Sequence, residues 1–190
     1  MLFAHGSGSS RHSPRNRAVA RVLQEAGLAT LLFDLLTAEE ESTDQVTAQW
    51  RFDIGLLAQR LVAATDWVAA QADTGALAQG YFGASTGGGA ALVAAAERPG
   101  RIRAVVSRGG RPDLAGAALP NVQAPTLLIV GGNDPAVIQM NRDALAQMRT
   151  RTKLAIVPGA GHLFEEAGTL EEVARQARDW FLELLQTQEQ

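Results

Sequence analysis

A serine framed by glycines, in the sequence Gly83-Ala84-Ser85-Thr86-Gly87, has the residue types and spacing of a reactive hydroxyl group. A short apolar run precedes it and an alanine-rich segment of helical character follows. The sequence therefore predicts a strand, a tight turn and a helix, with Ser85 at the turn. The flanking glycines leave room for the chain to fold back, and the helix N-terminus directs free N–H groups to the same point. Taken alone, the pentapeptide also fits an ordinary turn whose serine caps the helix.

Two further residues could activate that hydroxyl. His162 follows the last predicted strand in a turn rich in glycine and proline, from which an imidazole could reach Ser85. The other histidines are His5, which precedes a glycine loop, and His12, which lies one residue before a predicted helix cap. Asp134 follows another predicted strand, and sites in parallel sheets form at the carboxyl ends of strands. The alternatives are a helix N-cap for Asp134 and an ordinary turn residue for His162.

Strands and helices alternate through the whole sequence, which predicts an α/β fold, a three-layer sandwich with a mostly parallel sheet. The length predicts one domain over residues 1–190. The predicted strands cover residues 1–4, 29–36, 77–82, 101–107, 126–130 and 154–157. Helices are predicted from Ser13-Pro14 to Gly27, over 50–72, after Ser85, over 136–148, and from a capping box at Thr169–Glu172 to Leu184. The acidic segment 37–47 is interpreted as a solvated loop.

Composition narrows the function classes. The chain has 190 residues, a formal net charge of -3, a pI near 5.6 and no cysteine. It lacks the basic footprint of a nucleic-acid-binding protein, and without cysteine it has no disulfide, thiolate nucleophile or cysteine metal site. No apolar run approaches the roughly 18 residues that span a membrane, and no export signal is evident. We therefore expect a cytoplasmic protein without nucleic-acid or membrane partners.

The sequence resembles the small α/β-hydrolases of the dienelactone-hydrolase-like group. The resemblance rests on His5-Gly6-Ser7-Gly8, Gly83-Ala84-Ser85-Thr86-Gly87, Gly131-Gly132-Asn133-Asp134 and Gly159-Ala160-Gly161-His162. Four spaced motifs in the family's order are far more specific than any one of them, and they span essentially the whole chain. The resemblance implies an α/β-hydrolase fold and a carboxylesterase-type serine hydrolase that uses neither a metal nor an organic cofactor.

The resemblance also implies a role for each matched residue. Ser85 is the nucleophile, His162 takes its proton and later gives it to the leaving group, and Asp134 orients the imidazole. The backbone N–H groups of Thr86 and Ser7 hold the oxyanion.

Three other residues are candidates for substrate contact: His5, Arg108 and Arg111. The alternative for His5 is that it supports its own loop. The alternative for the two arginines is a structural ion pair with Asp113 or another carboxylate.

The sequence departs from the family pattern in two respects. The family's namesake enzymes carry a cysteine nucleophile, whereas Ser85 favours ordinary ester chemistry. The family sheet usually has two strands before the one that ends at His5, and here the chain begins in that strand. The apolar strand at 29–36 would then lie at the sheet edge, which is a liability unless it is covered. We therefore expect a homodimer or other assembly that covers this edge; the same edge in a clipped chain would predict poor solubility.

The segment between Ser107 and Thr126 is too short to form a lid domain. An open, shallow site favours small, short-chain esters over long lipids. Two alternatives remain: a non-catalytic or regulatory binding domain with this fold, and the same three residues used on another bond, such as a thioester or a lactone.

Overall fold

The computed structural model describes residues 1–185, and its centre is a sheet of six strands. The strands are β1 (Leu2–Ala4), β2 (Leu31–Leu32), β3 (Gln79–Ala84), β4 (Ile102–Arg108), β5 (Thr126–Gly131) and β6 (Thr152–Val157). They lie in the order β2-β1-β3-β4-β5-β6, and every pairing is parallel. The carboxyl ends of all the strands therefore lie at the same end of the sheet, as the sequence predicted.

Helices cover both faces of the sheet. They are α1 (Pro14–Glu25), α2 (Ala38–Thr47), α3 (Ile54–Ala70), α4 (Thr86–Glu97), α5 (Pro135–Leu145) and α6 (Thr169–Leu185). One apolar cluster joins α1 and α6 to one face, and a second joins α3, α4 and part of α5 to the other. This arrangement confirms the predicted α/β three-layer sandwich. The predicted domain extends to residue 190, and residues 186–190 lie outside the described part of the chain.

The central strands are apolar on both sides because both sides are covered. Every residue of β3 and β5 is buried, and in β4 only Arg103 is partly exposed. Successive side chains of β3 enter opposite clusters, with Tyr81 in one and Phe82 in the other. This burial on two faces explains why the strands appear in the sequence as continuous apolar runs rather than as alternating patterns.

The prediction of a solvated loop over residues 37–47 is wrong, because this segment contains α2. Thr37 and Glu40 form a capping box, in which the Thr37 hydroxyl accepts from the Glu40 N–H and the Glu40 carboxylate accepts from the Thr37 N–H. The acidic residues lie in the first turn, where the positive end of the helix dipole stabilises negative charge. The charge run is therefore part of the signal for a helix start.

Two other expectations need correction. The apolar run 29–36 forms only the two-residue strand β2, because the chain turns away where Asp34 accepts hydrogen bonds from the backbone and guanidinium of Arg11. β2 nevertheless lies at the sheet edge, as expected. At the start of α6, the Thr169 hydroxyl donates to the carbonyl of Glu166, and Glu172 binds Arg175, so the predicted capping box does not form.

The connection between β4 and β5 is a 3₁₀ segment, Pro112–Asn121, interrupted at Gly116, and it packs against α4 and α5. No separate lid is inserted at this point. No helix within residues 1–185 is both long enough and apolar enough to cross a bilayer.

Candidate active site

Ser85 lies at the sharp turn between β3 and α4. Its φ of 51° and ψ of -122° are a strained conformation for a residue with a side chain. The flanking glycines are required by contact rather than by flexibility. A Cβ on Gly83 would lie 2.5 Å from the carbonyl oxygen of Gly87, and one on Gly87 would lie 2.2 Å from that of Ala4. The motif thus allows the turn to fold tightly on itself and against β1.

His162 and Asp134 meet Ser85 at the carboxyl edge of the sheet. The Nε2 atom of His162 lies 3.4 Å from the Ser85 hydroxyl, and its Nδ1 lies 2.7 Å from Oδ2 of Asp134. The side chain of His162 is 39% exposed and that of Asp134 is 17% exposed. With Nδ1 donating to the carboxylate, Nε2 is left as the acceptor that faces the serine. The arrangement has the order hydroxyl, imidazole, carboxylate.

Asp134 also occupies the N-cap position of α5, which was the alternative interpretation. Its side chain makes no capping hydrogen bond, because the carboxylate is directed to His162 instead. A helix N-terminus normally recruits its aspartate as a cap, so the use of this carboxylate elsewhere favours the functional interpretation.

The turns that carry Asp134 and His162 are joined by hydrogen bonds. The Asn133 side chain donates to the Gly159 carbonyl at 2.8 Å, and the Asn133 N–H donates to the Ala160 carbonyl at 2.9 Å. A Cβ on Gly131 would lie 2.4 Å from the Ala160 carbonyl oxygen, so glycine is needed there for close approach. Glu166 accepts from the Gly161 N–H at 3.0 Å. The backbone N–H of Glu166 itself and then that of Gly161 lower the pKa of this carboxyl. Sequence reasoning missed Glu166.

A second set of contacts supports His162 from the end of β4. Gly109 has a φ of 52°, and a Cβ there would lie 3.2 Å from the His162 carbonyl oxygen and 3.5 Å from the Phe164 ring. Phe164 is buried with a φ of 56°, and the Arg108 guanidinium lies 5.8 Å from the centre of its ring. The sequence analysis did not identify Phe164 as a residue that supports the His162 turn, because its local pattern does not show that the end of β4 packs against it.

The two predicted oxyanion donors differ in whether their N–H groups are already hydrogen-bonded. The Thr86 N–H, at the start of α4, has no acceptor among the described residues. The Ser7 N–H instead donates to the side-chain hydroxyl of Thr86 at 2.9 Å. The loop before it approaches the serine closely, since a Cβ on Gly6 would lie 3.0 Å from the Ser85 Cβ. The role predicted for Ser7 stays a prediction, and its N–H is already engaged.

The remaining candidates lie in different environments. Both ring nitrogens of His5 bond to the backbone: Nε2 accepts from the Leu35 N–H at 3.0 Å, so Nδ1 donates to the Gly6 carbonyl at 2.9 Å. Arg111 forms a two-pronged ion pair with Asp113. Both arrangements match the alternatives stated above, in which His5 supports its own loop and Arg111 pairs with Asp113.

Arg108 is buried on the face that α1 covers, where its Nη2 lies 3.5 Å from the side-chain oxygen of Asn16. Burial and the neighbouring charge of Arg15 lower its pKa to about 10. No carboxylate among residues 1–185 forms an ion pair with it, so the predicted structural pair is wrong for this arginine. Arg108 is also only 6% exposed, which does not favour substrate contact.

A cavity of about 940 Å³ lies beside the loop that bears Ser7. Its walls are the serine-rich segment 7–15, the end of β2 and the first turns of α2, and they mix hydroxyl, charged and apolar groups. Within the described residues, no group of three or more histidine, aspartate or glutamate side chains is placed to hold a metal ion.

The parallel sheet, the strained serine turn and the order of the three polar residues define a protein with an α/β-hydrolase-type fold. Comparison with known sequences agrees: the chain belongs to the dienelactone hydrolase family, whose model matches residues 11–189.

Relatives at high identity support this membership. The chain is 68% identical to a dienelactone hydrolase from Anabaena variabilis, whose crystal structure matches with a TM-score of 0.95 over 97% of this chain and 85% of that one. It is 62% identical over 185 residues to proteins of two Mycobacterium tuberculosis strains that carry the provisional name phosphoribosyl transferase. The matched region makes up 97% of this chain but only 41% of each mycobacterial protein. The esterase domain of a Rhodothermus marinus protein shares the fold, with a TM-score of 0.73 at 21% identity over 97% of this chain and 86% of that one.

Proposed function

We propose that this protein is a serine hydrolase that cleaves short-chain carboxylic esters through an acyl-enzyme on Ser85. One observation carries the proposal: the Ser85 hydroxyl, the His162 imidazole and the Asp134 carboxylate form a hydrogen-bonded series of 3.4 Å and 2.7 Å. A free serine hydroxyl is a weak nucleophile and needs a base within reach. The 3.4 Å distance is longer than an ideal hydrogen bond, as is common before substrate aligns the two groups.

The reaction follows from this order. The Ser85 oxygen attacks the ester carbonyl carbon while its proton passes to Nε2 of His162, and Asp134 stabilises the resulting imidazolium. The tetrahedral intermediate collapses with cleavage of the C–O bond, and His162 returns the proton to the departing alcohol. Water then attacks the acyl group by the same route, which releases the carboxylic acid and restores Ser85. The positive end of α4 and the Thr86 N–H favour the negative charge that develops on the carbonyl oxygen.

The surroundings of Ser85 favour a small substrate. The His162 side chain is 39% exposed, and the β4–β5 connection packs against α4 and α5. A cavity with about the volume of a small-molecule pocket lies beside Ser7, but its lining does not include Ser85, Asp134 or His162. An open site of this kind offers little enclosed surface for a long acyl chain.

A lactone is the second candidate substrate, because the Anabaena relative is named a dienelactone hydrolase. A lactone is an internal ester, so the same attack by Ser85 would open the ring and leave one hydroxy acid. The phosphoribosyl transferase name of the mycobacterial relatives belongs to proteins of which this chain spans 41%, and it favours no transfer chemistry at Ser85.

Labelling with a fluorophosphonate probe tests the proposal. Attack by Ser85 would form an O–P bond and expel fluoride, so we expect the intact protein to be labelled and Ser85→Ala to remain unlabelled. A panel of p-nitrophenyl esters from acetate to laurate should show the highest kcat/KM for the short chains. Failure of the wild-type protein to label would support a non-catalytic binding domain, and a preference for laurate would contradict the open-site argument.

A further inference from the structure

The contact between Ser7 and Thr86 joins two segments that are distant in the chain but adjacent at Ser85. The Ser7 N–H donates to Oγ1 of Thr86 at 2.9 Å. Thr86 is 2% exposed, directly follows Ser85 and is the first residue of α4. The Ser7 N–H, predicted as an oxyanion donor, is therefore engaged by the Thr86 hydroxyl.

The proton of this hydroxyl has no acceptor in the described part of the chain. A threonine within a helix usually donates to the carbonyl four residues earlier, as Thr65 does to Leu61 at 2.8 Å. Thr86 cannot do so because the residues before it belong to β3 and the turn, not to a preceding helical turn. Its oxygen accepts from Ser7, so its proton is the group left to donate.

We propose that the hydroxyl of Thr86 is itself an oxyanion donor, so that the negative charge is held by the Thr86 N–H and the Thr86 O–H, with the Ser7 N–H acting through the hydroxyl. This inference rests on the proposed serine hydrolase function. The bond from Ser7 polarises the O–H and fixes its direction, which strengthens its donation to a developing negative charge. No proton is transferred from Thr86, since the hydroxyl only shares its hydrogen with the oxyanion.

The competing arrangement assigns Thr86 the opposite role. If its side chain rotated away when substrate binds, the Ser7 N–H would become the second donor and the hydroxyl would only block the site beforehand. Removing the hydroxyl would then leave turnover unchanged or raise it. The two arrangements thus predict effects of opposite sign.

Three variants separate them by kcat on a short p-nitrophenyl ester. Thr86→Val keeps the shape but removes the hydroxyl, and we expect kcat to fall by about 10²–10³-fold with little change in KM. Thr86→Ser keeps the hydroxyl and should stay within about threefold of the wild type. Thr65→Val is the matched control, because it removes a buried threonine hydroxyl away from the site and should leave kcat unchanged.

A transition-state analogue gives a second measurement. A trifluoromethyl ketone forms an oxyanion on Ser85, so its affinity should fall in Thr86→Val by the same factor as kcat, whereas KM should not follow. Thr86→Ala provides the same test if the valine variant does not fold. Turnover of Thr86→Val or Thr86→Ala within about threefold of the wild type, or above it, would overturn the inference while fluorophosphonate labelling of Ser85 persists. A wild-type protein that neither hydrolyses esters nor labels would overturn the proposed function instead, and this inference with it.

Discussion

Replacement of Arg108 by methionine tests whether a buried cation without a carboxylate partner destabilises this fold. Arg108 is 6% exposed and its Nε makes no hydrogen bond in the described structure. Burial lowers the pKa of its guanidinium to about 10, well below its ordinary value, with a smaller contribution from Arg15. Each pKa unit corresponds to about 1.4 kcal/mol, so the fold disfavours the charged form by about 3 kcal/mol.

Two contacts oppose this penalty. Stacking over the Phe164 ring at 5.8 Å stabilises by about 0.5–2 kcal/mol, and the 3.5 Å contact with Asn16 is at the limit of a hydrogen bond. Methionine is unbranched, fills a similar space and retains a favourable contact with the ring. We therefore expect Arg108→Met to raise the free energy of unfolding by about 1–2 kcal/mol.

Urea denaturation at neutral pH measures this change, with Arg149→Met as the control because Arg149 is exposed. The pH dependence has a defined sign: the folded pKa lies below the unfolded one, so the penalty is complete at neutral pH and stability rises as the pH rises above about 10. A loss of stability in Arg108→Met, with none in the control, would show that the ring and Asn16 contacts outweigh the cost of burial and would refute the reasoning.

Four further predictions address the site, the turn, a buried acid and the sheet edge. Asp134→Asn should lower kcat by about 10³–10⁴-fold with little change in stability, because an amide cannot stabilise the imidazolium; an effect below tenfold would contradict this. Gly87→Ala should destabilise by about 3 kcal/mol or more, whereas Gly55→Ala in α3, which has room for a Cβ, should stabilise by up to about 1 kcal/mol; both are measured by urea denaturation. Burial raises the pKa of Asp44, but hydrogen bonds from two backbone N–H groups and the Arg51 guanidinium outweigh it and hold this pKa below its usual value. The stability it contributes should therefore be present at neutral pH and be lost below about pH 4, and Asp44→Asn should flatten the acid arm of thermal unfolding. Finally, we propose that the edge at 29–36 pairs with a second copy, and a stable monomer in size-exclusion chromatography would argue against it.

Local patterns in the sequence predicted most of the elements and the three polar residues that the structure brings together. The mainly apolar runs of β3, β4 and β5 follow from burial on both faces, which favours apolar side chains at most positions. Ser85, Asp134 and His162 were identified because each follows a strand within a glycine-rich turn, and parallel strands bring such turns to one edge. The failure at α2 came from judging an acidic run by its charge and overlooking the Thr37–Glu40 capping box.

Only the tertiary structure decided how those groups are supported and which hydrogen bonds they make. The buried, unpaired state of Arg108, the support of Phe164 beneath His162 and the bond from Ser7 to Thr86 each join residues from different elements. A sequence pattern records the type of a residue and its spacing from its chain neighbours, and both determine local conformation. Contacts between distant segments depend on distances of a few tenths of an ångström, and these arise only when the layers pack.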